Sequence, residues 1–335
     1  MRSKGIYAHI TRRSLVVIAI SYAILATMQF FASPSIIAYA MLLLMYVALS
    51  QAYNLVSGYV GDLSFGHTAF FGVGAFTVAL SEYYGFSHFS PVNVALGGVF
   101  AAFLAILIGF PFLRLKGTYF AIGSLALAEV MRIAFLNSDF TLSSRGIYIP
   151  IIEPYSRIPY YSAIVGISAA VTIIVYLIIN SRLGITFIAI RDDPDVARVM
   201  GINVTLYRIL SLTMSAFICG VVGGWFAYYN AYVYPNNVFN MTLSFELMVM
   251  TFFGGAGTIL GPIIGAVIVL FAEEIGRTYI LVGYPLILAI LIMITFMFMP
   301  GGIIGTLTKS TPAVNPFSRL SRSRKGVDLA EHTGS

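Results

Sequence analysis

The stretch from Ser181 to Arg208 reads SRLGITFIAIRDDPDVARVMGINVTLYR, and it decides how the rest of the chain is read. Long apolar segments flank it on both sides, yet it carries Arg182, Arg191, Asp192, Asp193, Asp195, Arg198 and Arg208. Each such charge left at mid-bilayer costs about 2.5–3.5 kcal/mol on insertion scales, so the stretch belongs in water between two membrane spans. Its interior predicts a short helix. Asp192 or Asp193 can accept from the first free N–H groups, Pro194 suits the first helical position, and Gly201 suits the left-handed position that closes a helix. Four arginines without a lysine fit a cytoplasmic loop, because positive charge accumulates on the inner side.

Composition agrees. The chain has 335 residues, 59% hydrophobic and 10% charged, where soluble domains carry about 25% charged residues. The expectation is an all-α polytopic membrane protein with about ten transmembrane helices, some broken or re-entrant, and both termini cytoplasmic. The net charge of +6 sits in loops beside spans, which fits membrane orientation and not a nucleic-acid surface. The single Cys219 excludes an internal disulfide and a cysteine-based metal cluster.

In chain order, residues 1–13 form a basic cytoplasmic segment, and Leu15 to Ala32 reads as an uncleaved first span. Ile36 to Leu55 is the second. Ser57 to Phe76, SGYVGDLSFGHTAFFGVGAF, is glycine-rich and carries Asp62, Ser64, His67 and Thr68 at or near membrane depth. It predicts either close helix packing with hydrogen-bonded polar groups or a broken helix lining a solute path. The third span runs to about Tyr83, Pro91 to Leu113 is the fourth, and Thr118 to Leu136 is the fifth. The fifth holds Glu129 and Arg132 on one helical face, where they can neutralise each other or line a path. Residues 137–159 read as an outside loop, Tyr161 to Ile179 as the sixth span, and Leu206 to Tyr234 as the seventh, with Trp225 to Tyr234 as an interfacial aromatic belt. A second glycine-rich break, GGAGTILGPIIGA, interrupts Phe245 to Ala272 and predicts two short spans or a re-entrant pair. Glu273, Glu274 and Arg277 mark an outside turn before the last span, Tyr279 to Met299. The chain thus divides into a 1–13 segment, a 14–305 transmembrane domain and a polar, Ser-rich 306–335 tail.

Charge tests this topology. Arg2, Lys4, Arg12, Arg13, Arg114, Lys116, the four arginines of the central loop, Lys309, Arg319, Arg322, Arg324 and Lys325 all fall inside; Arg145, Arg157 and Arg277 fall outside, and Arg132 lies in a span. The asymmetry fixes the expected orientation. No phosphate-binding loop, nucleophile elbow or zinc-ligand motif occurs, so no catalytic residue or cofactor is assigned. His67 lacks a second ligand at metal spacing. Broken segments in both halves point to a solute site near mid-membrane.

Three stretches together resemble one family. They are GYVGDLSFGHTAFFGVGAF, LRLKGTYFAIGSLALAEVMR, and SRLGITFIAIRDDPDVARVMGINVTLYRIL followed by LSFELMVMTFFGGAGTILGPIIGA. The chain is similar, over roughly residues 40–305, to the permease subunits of branched-chain amino acid ABC importers, the LivM type more than the LivH type. The resemblance implies ATP-binding subunits at the cytoplasmic face and an extracytoplasmic solute-binding protein. It also implies a second permease subunit, LivH-type or another copy of this chain, all within membrane lipid. Asp195 to Gly201 stands where such permeases carry an E-A-A-x-x-x-G pattern, which makes Arg191, Asp192, Asp193, Asp195, Ala197, Arg198 and Gly201 the expected coupling residues. The expected path residues, from polarity, are Ser64, Gly66, His67, Thr68, Glu129 and Arg132. Where related permeases have threonine-glycine-glycine after the fifth span, this chain has TLSSRG, and related permeases also serve urea and short amides. Two other classes remain open at this point. An ion-coupled secondary transporter would use Glu129 or Glu246, and an intramembrane transferase would need an acidic cluster such as Glu273-Glu274.

Overall fold

The computed structural model describes residues 12–85, 90–112, 117–141, 145–150, 157–280, 290, 293 and 302–307. Within them the chain is helical throughout its length. Helix α1 is Arg12–Met28, α2 Pro34–Tyr53, α3 His67–Tyr83, α4 Pro91–Phe112, α5 Thr118–Asn137 and α6 Ile158–Ile179. Two short helices follow, α7 Arg182–Asp192 and α8 Pro194–Val199, and then the 27-residue α9 Val204–Asn230. The remainder are α10 Pro235–Val238, α11 Met241–Gly254, α12 Leu260–Ile280 and α13 Gly302–Leu307. A two-residue strand pair, β1 Ile147–Tyr148 and β2 Tyr232–Val233, joins the α5–α6 and α9–α10 connections antiparallel, Ile147 opposite Val233.

Local chemistry sets the boundaries. Proline opens α2, α4, α6, α8 and α10, where its missing N–H removes no helix bond. Ser181, Asp193, Asn203 and Asn240 cap α7, α8, α9 and α11 by accepting from backbone N–H groups of the first turn.

Among the described residues, five helical segments are long and apolar enough to cross a bilayer: Pro34–Val60, Pro91–Phe112, Thr118–Asn137, Ile158–Ile179 and Val204–Asn230. The protein is therefore a polytopic α-helical membrane protein. Helix α4 shows what solvent it expects, because its exposed face is Val92, Leu96, Val99, Phe100, Phe103, Leu107 and Phe110. In water such a face would be an aggregation site; in lipid it costs nothing.

Helix α9 is the central post, packed on α3, α4, α2 and α6. Three glycines make this possible. A Cβ on Gly74 would lie 2.0 Å from the Gly220 carbonyl oxygen, one on Gly220 2.5 Å from that of Gly97, and one on Gly97 2.9 Å from that of Gly74. The backbones of α3, α4 and α9 thus touch directly, the dominant way helices associate without a hydrophobic drive.

Several expectations shift. The second span does not end at Leu55: it continues as a π-helix, Asn54–Val60, so the first glycine-rich stretch is broken only over 61–66. The second break is the loop 255–259, between α11 and α12. Helix α11 is only 14 residues, about 21 Å at 1.5 Å per residue, shorter than the hydrocarbon core. Glu273, Glu274 and Arg277 form no turn, since α12 runs through them to Ile280. Trp225 and Tyr228 are buried, Trp225 donating from Nε1 to the Tyr160 carbonyl at 2.9 Å, so the aromatic belt loses its inner members to the core. The island contains two helices where one was expected. The last span, the 308–335 tail, residues 1–11, and Arg114 and Lys116 lie outside the described residues.

The glycine contact predicts that Gly220→Val lowers stability by about 1–3 kcal/mol through overpacking. Gly166→Ala, on α6 with open space around it, should leave stability unchanged or raise it slightly. Thermal unfolding of the solubilised variants would separate the two.

Candidate functional site

The charged island folds into a bracket at one end of the bundle. Asp193 Oδ1 accepts from the N–H groups of Asp195 at 2.9 Å and Val196 at 3.2 Å, so Asp193 and not Asp192 caps α8. Gly201 closes it with φ +84°, its N–H reaching the Arg198 carbonyl at 2.9 Å while Ile202 N–H reaches Ala197 at 3.0 Å. Asp195 and Arg198 pair on the exposed face, Ala197 is buried beneath, and Val196, Val199 and Met200 project outward. Asp192 is exposed at the end of α7.

Arg191 behaves differently from its neighbours. It points back into the bundle, and its Nη1 donates to the Gly58 carbonyl at 2.6 Å. A Cβ on Gly257 would lie 2.2 Å from that same nitrogen, and one on Gly61 would lie 3.2 Å from Arg191 Cγ. Both glycines have positive φ, +76° and +89°. The guanidinium therefore sits where the two glycine-rich breaks meet. Asn54 ties them as well: its Oδ1 accepts from Gly257 N–H at 2.8 Å and its Nδ2 donates to the Thr258 carbonyl at 2.8 Å. One turn earlier, Gln51 Nε2 donates to the Ile259 carbonyl at 2.7 Å.

The four polar residues of the first break converge on neighbouring helices. Ser64 Oγ accepts from Gly66 N–H at 3.3 Å, and Phe65 N–H donates to Ser124 Oγ of α5 at 2.8 Å. Thr68 Oγ1 donates to the Val238 carbonyl at 3.1 Å, and Thr68 N–H donates to Ser244 Oγ at 3.3 Å. His67 is fully buried with Nε2 2.9 Å from Ser215 Oγ, whose proton goes to the Ala52 carbonyl at 2.7 Å. His67 here is a structural tie between α3, α9 and α2.

Asp62 meets Arg208 at the start of α9, Oδ2 to Nε 3.0 Å, both largely buried.

Glu129 and Arg132 pair with each other on α5, and Arg132 Nη1 donates to Asn236 Oδ1 at 2.6 Å, which in turn donates from Nδ2 to Tyr234 at 2.7 Å. They lie about 8–12 Å further along α5 than Ser124 and join none of the first-break residues. Around Ser64, Gly66 and Ser124 the enclosed space is about 10 Å³, room for one water molecule. A groove of about 570 Å³ between α4, α6 and α9 is walled by Val94, Ile167, Ile174, Phe217 and Val221 and offers no charge to a zwitterion.

Sequence reading overlooked Gln51, Asn54 and Gly257. The signal was present as Ser50, Gln51, Asn54 and Ser57, a polar stripe at helical spacing on an otherwise apolar segment.

Comparison with known proteins gives a consistent picture. The family described as branched-chain amino acid transport system / permease component matches residues 35–298. The high-affinity branched-chain amino acid transport system permease protein LivM of Salmonella typhimurium is 26% identical over 297 residues, covering 79% of this chain and 68% of the relative. LivM of Escherichia coli matches to the same extent. The fructose import permease protein FrcC of Rhizobium meliloti is 30% identical over 130 residues, 35% of this chain and 36% of its own. No solved structure gives a significant match.

The Asp62–Arg208 pair generates a stability prediction. Arg208→Gln leaves a buried carboxyl without its cation and should cost about 3–5 kcal/mol. Unfolding midpoints of the two solubilised proteins check this.

Proposed function

Because the chain belongs to the family of branched-chain amino acid transport system permease components, a family of non-catalytic transport subunits of ABC transporters, we propose that it forms part of the translocation path of an importer for branched-chain or closely related amino acids. The solute would arrive on an extracytoplasmic binding protein. Separate ATP-binding subunits would drive transport from the cytoplasmic face. A second permease subunit, LivH-type or another copy of this chain, would complete the path. In this reading residues 14–305 cross the membrane about ten times with both termini cytoplasmic, residues 306–335 form a polar tail, and Arg191 to Gly201 is the coupling segment.

The single observation that carries the reading is α8. A six-residue helix is too short to hold itself together in water. It persists because Asp193 caps it, Gly201 closes it, and Ala197 anchors it to the bundle. That effort presents Val196, Asp195, Arg198, Val199 and Met200 outward, beyond the apolar spans. Val199 at 88% and Met200 at 75% exposure are apolar groups in a polar segment, the composition of a docking knob rimmed by charge. An ion-coupled carrier would need a free membrane acid instead. Glu129 is paired to Arg132, and Glu246 accepts a hydrogen bond from Tyr46 at 2.7 Å, which favours structural roles for both.

The reading predicts that an ATP-binding subunit co-purifies with the tagged chain in mild detergent. Val199→Asp with Met200→Asp should weaken that association about tenfold or more, as loss of an interface anchor does, while leaving the unfolding midpoint in place, since both side chains are exposed. A single-chain eluate whose transport survives ATP depletion and collapses with an ionophore would instead select the ion-coupled carrier.

A further inference from the structure

We propose that Arg191 is the positioning residue that transmits movement of the coupling segment to both broken helices at once. The proposal rests on the permease reading above, and its observations are separate from those that carry that reading.

The guanidinium reaches out of the segment that carries α8 and ends between the π-helix that leads into the first break and the second break, bonded to Gly58 of the former and seated against Gly257 of the latter. Three glycines make its seat. A Cβ on Gly58 would strike Asn54 Oδ1 at 1.8 Å and Gly257 N at 2.7 Å, one on Gly257 would displace Arg191 Nη1, and one on Gly61 would crowd its Cγ. The second break is tied to the π-helix by Asn54 and to the end of α2 by Gln51, so the π-helix and the second break move as one body when Arg191 moves. The element that can yield is the π-helix Asn54–Val60. Its wide turns are less favourable than α turns and commonly mark functional sites. Arg191 holds its last turn by the Gly58 carbonyl, close to where Gly61 N–H closes on Val56 at 3.0 Å. Only one residue, Asp192, separates Arg191 from the α8 cap Asp193, too short a link to absorb a displacement of α8 without moving the guanidinium. Arg suits this role better than Lys, because its rigid fork holds a direction as well as a charge.

The test uses the complete complex co-purified with the chain, reconstituted in liposomes, with radiolabelled leucine as the probe. Arg191→Gln should retain bound ATP-binding subunits and hydrolyse ATP within about twofold of wild type, while leucine moved per ATP falls about tenfold, the scale of one lost charged hydrogen bond. Gly257→Ala, which displaces the guanidinium without removing it, should give the same split, and Arg191→Lys should recover part of the ratio. An unchanged ratio of transport to hydrolysis in Arg191→Gln overturns the proposal. A second readout needs no transport. Amide exchange in the solubilised full chain should quicken about tenfold in both 54–61 and 255–259 on Arg191→Gln, and quickening confined to the vicinity of residue 191, or to neither segment, also overturns it. Should Arg191→Gln fail to fold, Arg191→Lys carries both measurements, with smaller changes in the same direction expected and wild-type values overturning the proposal. Absence of ATP-dependent uptake in the wild-type complex would count against the permease reading instead, and the exchange result would still judge the Arg191 link on its own.

Discussion

A helix broken inside a membrane protein leaves backbone N–H and C=O groups that water cannot reach, and each one unpaired costs several kcal/mol. This chain contains two such breaks, 61–66 and 255–259, and its polar residues are spent on them. Asn54 and Gln51 serve the second break from the second span, Ser124 serves Phe65, Ser57 donates to the Asp62 carbonyl at 2.9 Å, and Arg191 serves Gly58 just before the first break. A protein this apolar has few such groups to place. Their concentration at one end of the bundle therefore shows where irregular backbone has to be kept.

Glycine does two unlike jobs in the same bundle. At Gly74, Gly97 and Gly220 it removes side chains so that α3, α4 and α9 meet backbone to backbone, which fixes the post around which the other spans stand. At Gly61 and Gly257 it supplies left-handed φ and clears space for a guanidinium. The first job rigidifies and the second makes room for a moving part. Both produce the same glycine-rich text, so composition alone does not separate a packing seam from a hinge.

That explains which parts of the molecule were legible in sequence. The membrane class, the spans of α4, α5, α6 and α9, and the capped helix Pro194–Val199 followed from apolar length, proline placement and an Asp/Gly bracket, all of which act locally. The breaks were visible as glycine clusters, but the first was placed too early because a π-helix carries no residue signature that distinguishes Asn54–Val60 from an α turn. Glu273, Glu274 and Arg277 looked like a turn because charge usually leaves the membrane there. In the fold Tyr39 donates to Glu274, and the helix continues. Phe65, His67 and Thr68 find their partners Ser124, Ser215 and Ser244 at 59, 148 and 176 positions away, and no local pattern links them. Arg191 was classed with the surface of the coupling segment because its neighbours are acidic and exposed. Its direction depends on a glycine 66 positions later.

The Asp62–Arg208 pair adds a further constraint to this end of the molecule. Burying two charges rarely gains stability over an apolar pair. What the pair supplies is a link. Asp62 follows Gly61 in the first break, and Arg208 lies in the opening turns of α9, so the ion pair ties the break to the central post. Arg191 holds the turn just before the same break from the coupling segment, through the Gly58 carbonyl. The break therefore stands between two arginines on different elements, one in charge contact with its carboxylate and one hydrogen-bonded to the backbone that leads into it.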